Sequence, residues 1–424
     1  MNQNKKVFIH AICCLRRRID AKKMYRYFSE NDFELVNNPI EADYIILFTC
    51  GFHNETIDRC FNTIKEFKKY NAELIVAGCL PKIAKDKIES IFDGTIIPTD
   101  NLDKIDEKFR DNRIKFSEIE SAFSPWNNYN TFFISNLITN LKEKILKKQN
   151  FITKLYIYFK NNILSKLPPL DQIYAEKIFE EKYYKGCTLL ISRGCIHNCS
   201  YCAIKKGIGS LKSKPVDQCI KEFNDALKMG HDQFILEADD VGVYGLDIDS
   251  NIVRLLDEMT KIEGNYIIRL GVTHPKLIIK YENELEEILK RKKIKSIVLS
   301  IQSASNRILE LMRRSYTKDE IRHLIFRLKN AYPDLEIGAQ FIVGFPSESS
   351  EEFNETYDLI KEMNFDYGGV FKYSDVEGTE STKIEPKIKE KEKRRRMMIV
   401  LKLLKKTHDY AWDAGRVVGF FNTV

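Results

Sequence analysis

The sequence predicts an α/β protein, with an N-terminal parallel α/β domain followed by a partial (βα)6 barrel. Three observations carry that expectation. Apolar, strand-like runs alternate with segments whose apolar residues recur at helical spacing. That order calls for parallel sheets with helices on their faces. The chain has 424 residues, 43% of them hydrophobic, which is enough for two or three cored domains. The alternation is interrupted once, so the expected divisions are 1–115, 116–182, 183–405 and a short tail, 406–424.

In the first division KVFIHAI reads as a strand, and DAKKMYRYFSEND as a helix with Met24, Tyr27 and Phe28 on one side. DYIILFTC is the second strand and ETIDRCFNTIKEFKKY the second helix. AELIVAGC is the third strand, followed by the helical PKIAKDKIESIF with Pro81 near its start. The three strands run into Cys14, Cys50 and Cys79. Parallel sheets place ligands along one such edge, so these thiols are expected to meet there.

Residues 116–182 carry two amphipathic patterns, one on Ile134, Leu137, Ile138, Leu141 and Ile145, the other on Ile152, Leu155, Phe159 and Ile163. Pro168-Pro169 stops the second. A helical hairpin packed on the body is expected, with a substrate-docking or membrane-surface element as the alternative. From residue 187 strands are read at CTLLIS, QFILEA, NYIIRLG, IKSIVLSI, EIGAQFIVG and YGGVFKYS, separated by helical patterns. Active residues of a (βα) barrel lie at the C-terminal ends of its strands. The tail from EPKIKEKEKRRRMM to DYAWDAG reads as one basic helix; Arg394, Arg395 and Arg396 form a solvated face, or alternatively an RNA or acidic-peptide contact.

The N-terminus, MNQNKKVFIHAICC, lacks the apolar core of a signal peptide. No run of about 18 uncharged apolar residues occurs, so no membrane span is expected. A reducing, cytoplasmic location follows, in which ten cysteines are metal ligands, redox groups or core residues rather than structural disulfides. The formal charge of +7 is a weak pointer to nucleic acid.

The first barrel strand leads into ISRGCIHNCSYCAIKKG, where Cys195, Cys199 and Cys202 are spaced C-x3-C-x2-C. Zinc sites commonly use four ligands in two spaced pairs. Three close thiols suit an iron–sulfur cluster with one iron left open to a small molecule. Asp239 and Asp240 close the second barrel strand, and Gln302 and Ser303 close the fourth, both at the expected ligand face. Cys60, Cys187 and Cys219 read as core. His197 reads as an exposed loop residue, with a hydrogen bond near the cluster site as the alternative, and His274 with Pro275 as shaping a strand end, with a cofactor contact as the alternative.

The cysteine loop resembles the signature of the radical S-adenosylmethionine (SAM) enzymes, with Tyr201 at the aromatic position before the last cysteine. The chain from about residue 5 to 405 is similar to radical SAM methylthiotransferases. The segments that carry this are LEADDVGVYGLD, IIRLGVTHP, SIQSASNRILELMRRSYT, FIVGFPSESSEEFNET and VFKYSDVEGT, in the family's order. The resemblance implies two [4Fe–4S] clusters, one on Cys195, Cys199 and Cys202 that binds and cleaves SAM, and one on Cys14, Cys50 and Cys79 that carries the sulfur to be transferred. Alignment favours Cys14 over its neighbour Cys13. It implies SAM as both methyl donor and radical source, an electron donor such as flavodoxin or ferredoxin, and a substrate in tRNA or a ribosomal protein. Arg269 is expected to pair with the SAM carboxylate, and Tyr201, Asp239, Gln302 and Ser303 to line the cofactor pocket.

The sequence departs from the family pattern in places. The family's C-Q-x-N reads Cys14-Leu15-Arg16-Arg17, Ala238 and Ala304 replace glycines, and no C-terminal TRAM barrel is read in the tail. These departures favour a peptide or small-molecule substrate, with tRNA through an atypical contact surface as the alternative. A non-catalytic iron–sulfur or redox protein is the third reading.

Overall fold

The computed structural model describes residues 5–119, 186–404, 408–410 and 417–422. The helical patterns expected between 120 and 182 lie outside the described residues.

The N-terminal sheet contains β1 (Lys6–Ala11), β2 (Glu34–Leu35), β3 (Tyr44–Thr49), β4 (Glu73–Gly78) and β5 (Thr95–Pro98). Its order is β2-β1-β3-β4-β5, and every pairing is parallel. Alternation along the strands builds two cores. Val7, Ile9, Ile46, Phe48 and Ile75 pack on helix Leu15–Glu30 through Met24, Tyr27 and Phe28. Phe8, Ile45, Leu47, Leu74 and Val76 pack on helix Asn54–Phe67 through Ile57, Cys60, Ile64 and Phe67. The helix expected at 81–92 is two short pieces, Leu80–Ile83 and Lys85–Glu89, because Ala84 between them leaves helical geometry.

The second domain opens with β6 (Cys187–Leu190), followed by a small antiparallel ribbon of β7 (Ser192–Arg193) and β8 (Lys212–Ser213). Its remaining parallel strands are β9 (Gln233–Glu237), β10 (Ile267–Thr273), β11 (Ile294–Gln302), β12 (Glu336–Val343) and β13 (Tyr367–Lys372). With β6 they make the six expected parallel strands, in the order β13-β12-β11-β10-β9-β6. Ile268, Leu270, Ile297, Leu299, Ile337 and Val370 face the surrounding helices, in one continuous core with Phe223, Leu256 and Leu324. Among the described residues no helix is long and apolar enough to cross a membrane.

The C-terminal segment differs from the expectation of one long basic helix and a tail. The helix spans Glu390–Leu404. It is followed by β14 (His408–Tyr410) and β15 (Val417–Asn422), and β15 pairs antiparallel with β13, extending the barrel sheet. The run VVGFFN is β-branched and aromatic, which suits a strand better than a helix end. The basic run is not one solvated face either. Arg396 is buried against Glu348, and Arg395 pairs with Glu392.

Candidate active site

Each N-terminal cysteine sits just past a strand of the parallel sheet. Cys14 is the N-cap of helix Leu15–Glu30, after β1. Cys50 follows β3, and Cys79 follows β4 and begins the helix Leu80–Ile83. Because β1, β3 and β4 are adjacent, the three thiols share one edge. Cys50 and Cys79 are buried and Cys14 is exposed. Burial pushes the Cys50 thiol well up, reinforced by Cys14 and Cys79, and burial pushes Cys79 up to about 11, with Arg17 opposing. Cys14 acts electrostatically on both partners; Cys13 also senses Cys14 and Cys50, and packs against the apolar cluster beneath helix 15–30. Cys60 lies behind the edge, its sulfur accepting from the Cys50 amide at 3.4 Å.

The second triad lies on the loop after β7. The Cys202 amide donates to the Cys199 carbonyl at 3.1 Å, and the His197 amide to Cys195 Sγ at 3.4 Å. His197 follows the alternative expectation, a hydrogen-bonded residue of the loop's frame, rather than an exposed one. Its Nε2 lies 2.7 Å from Asp240 Oδ2, and its ring stacks on His274 at 3.8 Å. Asp240 Oδ1 accepts from the Gly242 and His274 amides. Burial, then the nearby Arg314 and His197, hold the His274 ring neutral by lowering its pKa far below the usual range.

Arg314 completes this loop and was not singled out from the sequence, although it stands in the SYT-terminated segment that carries the resemblance. It is 6% exposed. Its guanidinium donates to Cys199 Sγ at 3.3 Å, to Tyr201 Oη at 3.4 Å, to Tyr316 Oη at 2.9 Å and to the Ser300 carbonyl. Among the described residues it makes no ion pair with a carboxylate. A buried cation needs a counter-charge, and negative thiolate sulfurs of a cluster on this loop would provide one.

The other expected cofactor residues separate into two groups. Tyr201 and Gln302 lie at the loop and the strand end. Gln302 closes β11 with φ 72°, is 7% exposed, and its Oε1 is buried without a hydrogen-bond partner among the described residues. Ser303 is spent inside the protein, with its Oγ near Thr356 Oγ1 at 3.3 Å and accepting from the Ser305 amide at 3.2 Å. Arg269 is not brought to the loop. It is the third residue of β10, four positions before the strand's end, roughly 13 Å of extended chain, and it donates to Gln233 Oε1 at 3.1 Å. Asp239 accepts from the Gly194 amide at 2.8 Å and faces two arginines of the other domain.

Those arginines link the two triads. Arg16 lies 3.5 Å from Glu237 and 3.4 Å from Asp239, and Arg17 lies 3.2 Å from Asp20 and 3.5 Å from Asp239. Arg193, two residues before Cys195, pairs with Asp20. The contact is also steric. Gly207, on the helix Ile204–Ile208 that follows Cys202, packs on Cys79; a Cβ there would lie 2.7 Å from the Cys79 carbonyl oxygen and 2.8 Å from its Cβ. Ala203 and Val376 of the barrel are buried in the N-terminal core. The two cysteine sites thus face each other across a packed, charged seam.

Residues 189–360 match the model of the radical SAM superfamily, and residues 6–97 match that of the uncharacterized protein family UPF0004. A probable threonylcarbamoyladenosine tRNA methylthiotransferase of Methanocaldococcus jannaschii is 30% identical over 399 residues, covering 94% of this chain and 82% of the relative. A ribosomal protein uS12 methylthiotransferase of Acetivibrio thermocellus is 33% identical over 410 residues, covering 95% and 82%. The chain belongs to the radical SAM methylthiotransferase family. It is therefore an enzyme of methylthio transfer, and the cofactors of its family are two [4Fe–4S] clusters and SAM. Among solved structures, the radical SAM methyltransferase TsrM of Kitasatospora setae shares the fold, with a TM-score of 0.54 at 11% identity, covering 87% of this chain and 75% of that one.

Proposed function

We propose that this methylthiotransferase modifies a nucleoside of a tRNA, with Cys195, Cys199 and Cys202 holding one cluster and Cys14, Cys50 and Cys79 the other. The observation that carries the reading is the facing of the two triads, with Gly207 against Cys79 and Arg17 against Asp239. Reaction partners held this close avoid the loss of a reactive species to solvent. When bound, the clusters and SAM supply the electron, the methyl group and the sulfur that the transfer needs.

The chain's own residues then have definable tasks. Arg314 offsets the thiolate charge of the barrel loop and fixes Cys199 and Tyr201 in place. His197, His274 and Asp240 brace the loop from the other side. Gln302 offers an unpartnered acceptor at the end of β11, suited to the SAM amino group, and Ser303 anchors the turn that presents it. Arg269 is left out of this set, because its partner is Gln233.

The preference for tRNA rests on Phe52. It is 49% exposed, two residues after Cys50, and meets Phe371 of β13 edge to face at 5.8 Å. Asn54 pins this loop to Ser374 and Asp375 at the barrel mouth. An exposed aromatic face beside a reaction site is suited to stacking an unpaired base. The earlier expectation of a peptide product or small metabolite has no counterpart in the relatives' names, which specify tRNA and uS12. The 33% identity to a uS12 modifier supports a ribosomal-protein substrate as the second reading. The cytoplasm is the compartment that fits either substrate. Anaerobically reconstituted enzyme, given SAM and reductant, is expected to methylthiolate tRNA that carries modified adenosines such as threonylcarbamoyladenosine but no methylthio group, and to leave uS12 unchanged, read by mass spectrometry of digests. Modification of uS12 alone would transfer the assignment to the second reading.

A further inference from the structure

Arg17 stands where the resemblance places an amide side chain, and the structure gives it an unusual environment. It is 1% exposed. Of its five N–H bonds only those on Nη2 reach an acceptor, Asp239 Oδ1, at a long 3.5 Å. Nε lies 3.2 Å from Asp20 Oδ2 without hydrogen-bond alignment, and Nη1 has no partner among the described residues. A fully buried guanidinium this poorly satisfied is costly unless its donors and charge serve something else. Besides Asp20 and Asp239, the groups that stabilise its charge are Cys79 and Cys14. Arg16, on the same turn, is likewise held by Cys14, Glu237 and Asp239. Two fixed cations therefore stand between the thiol triads, anchored from behind by carboxylates of both domains.

We infer that Arg17 is a positioning residue that holds an anionic sulfur group at the N-terminal cysteine site, by charge and by the free N–H of Nη1. The inference rests on the reading that Cys14, Cys50 and Cys79 hold a cluster. An anion such as sulfide or methanethiolate, bound beside these cysteines, gains a charge-assisted hydrogen bond that an amide side chain would supply more weakly. The same charge favours the more reduced state of a cluster there, because hydrogen bonds and local charge set such potentials. Asp20 and Asp239 keep the guanidinium from turning away, and the Asp20–Arg193 pair ties that anchor to the loop of the other triad.

The test uses full-length protein carrying Cys195, Cys199 and Cys202→Ala, so that only the N-terminal site can load iron. Arg17→Asn and Arg17→Lys are compared with Arg17 in this background. Three readouts are taken: iron content, cluster midpoint potential by redox titration followed by electron paramagnetic resonance, and affinity for added sulfide and methanethiolate. The expected result is equal iron in all three proteins, a more negative midpoint for Arg17→Asn, and sulfide and methanethiolate binding weakened about 10–100-fold. Arg17→Lys should fall between, since it restores charge without the planar fork. Equal iron with unchanged midpoint and unchanged sulfide affinity in Arg17→Asn would overturn the inference and leave the cluster assignment intact. Absence of iron from the background protein itself would overturn both.

Discussion

Arg314 shows how a single side chain can be unfavourable in one state of a protein and needed in another. Its charge is buried with neutral partners, Tyr201, Tyr316 and Ser300, and with Cys199. In the metal-free protein it is a cation without a carboxylate among the described residues, and replacing such a group by an apolar one of similar size is often neutral or stabilising. With thiolates ligating iron, the same guanidinium becomes the counter-charge. Arg314→Met should therefore leave the apo protein no less stable in thermal unfolding, while iron affinity of the barrel site falls about 10–100-fold. A variant that unfolds early yet loads iron normally would make Arg314 purely structural. The cysteine loop stood out in the sequence because its spacing is local: C-x3-C-x2-C lies within eight residues. Arg314 did not stand out, because its contacts depend on a group distant in the chain, Cys199; Arg17 was visible as a charged replacement beside Cys14, but its partner Asp239 was not. The place of Arg269 in a motif likewise gave no hint of its height along β10 or of its partner Gln233.

At the scale of elements, what the sequence shows depends on length and period. The six parallel barrel strands and β1, β3 and β4 are runs of four to nine residues, mostly β-branched or large apolar, and near-continuous apolar runs mark them. The edge strands β2 and β5 have two and four residues and carry too little pattern to be recognised. The helix Ile204–Ile208 is also short, but its contact with Cys79 gives it weight. Gly207→Ala would force its new methyl into the Cys79 backbone, shifting one element or the other at a cost of about 1–3 kcal/mol. Because the displaced contact joins the two triads, methylthio transfer should fall more than SAM cleavage, measured as product and 5′-deoxyadenosine in the same reaction. Equal losses would mean that the helix supports only the barrel site. A second element, helix Ser350–Met363, is held by a capping box of the N-cap Ser349 and Glu352, and Glu352 also pairs with Arg307 and Ser305. The Arg307 hydrogen bonds, with those from Ser349 and Ser305, lower the Glu352 carboxyl from its usual 4.5 to about 2. A carboxylate depressed on folding stabilises the protein above its unfolded value and ceases to do so as pH falls through its folded value. Glu352→Gln should thus lower the melting temperature at neutral pH, with the gap to the parent closing between about pH 4.5 and 2. A gap that does not change with pH would assign the loss to capping geometry alone.

For the whole molecule the decisive feature is that neither domain is complete at the seam. The N-terminal core takes in Ala203 and Val376 of the barrel, and the ion pairs of Arg16, Arg17 and Arg193 each join residues of both domains. An arrangement of two separate metal sites in one chain would not need this. One built to pass a group between them would, since an ångström of misplacement is costly in reactions that depend on proximity. The division of labour can be read by removing one triad at a time. Cys14, Cys50 and Cys79→Ala should retain about four irons and still form 5′-deoxyadenosine from SAM, but yield no methylthiolated product. Cys195, Cys199 and Cys202→Ala should also retain about four irons and form neither. Buried Cys50 and Cys79 lose little volume on change to alanine, so both proteins should remain folded. If the first variant kept the full iron content of the parent, the N-terminal thiols would be core residues and the source of the transferred sulfur would have to lie elsewhere. If it kept four irons but also lost SAM cleavage, the seam would be coupling the two sites electronically or structurally, and Gly207 and Arg17 would be the first positions at which to look for that coupling.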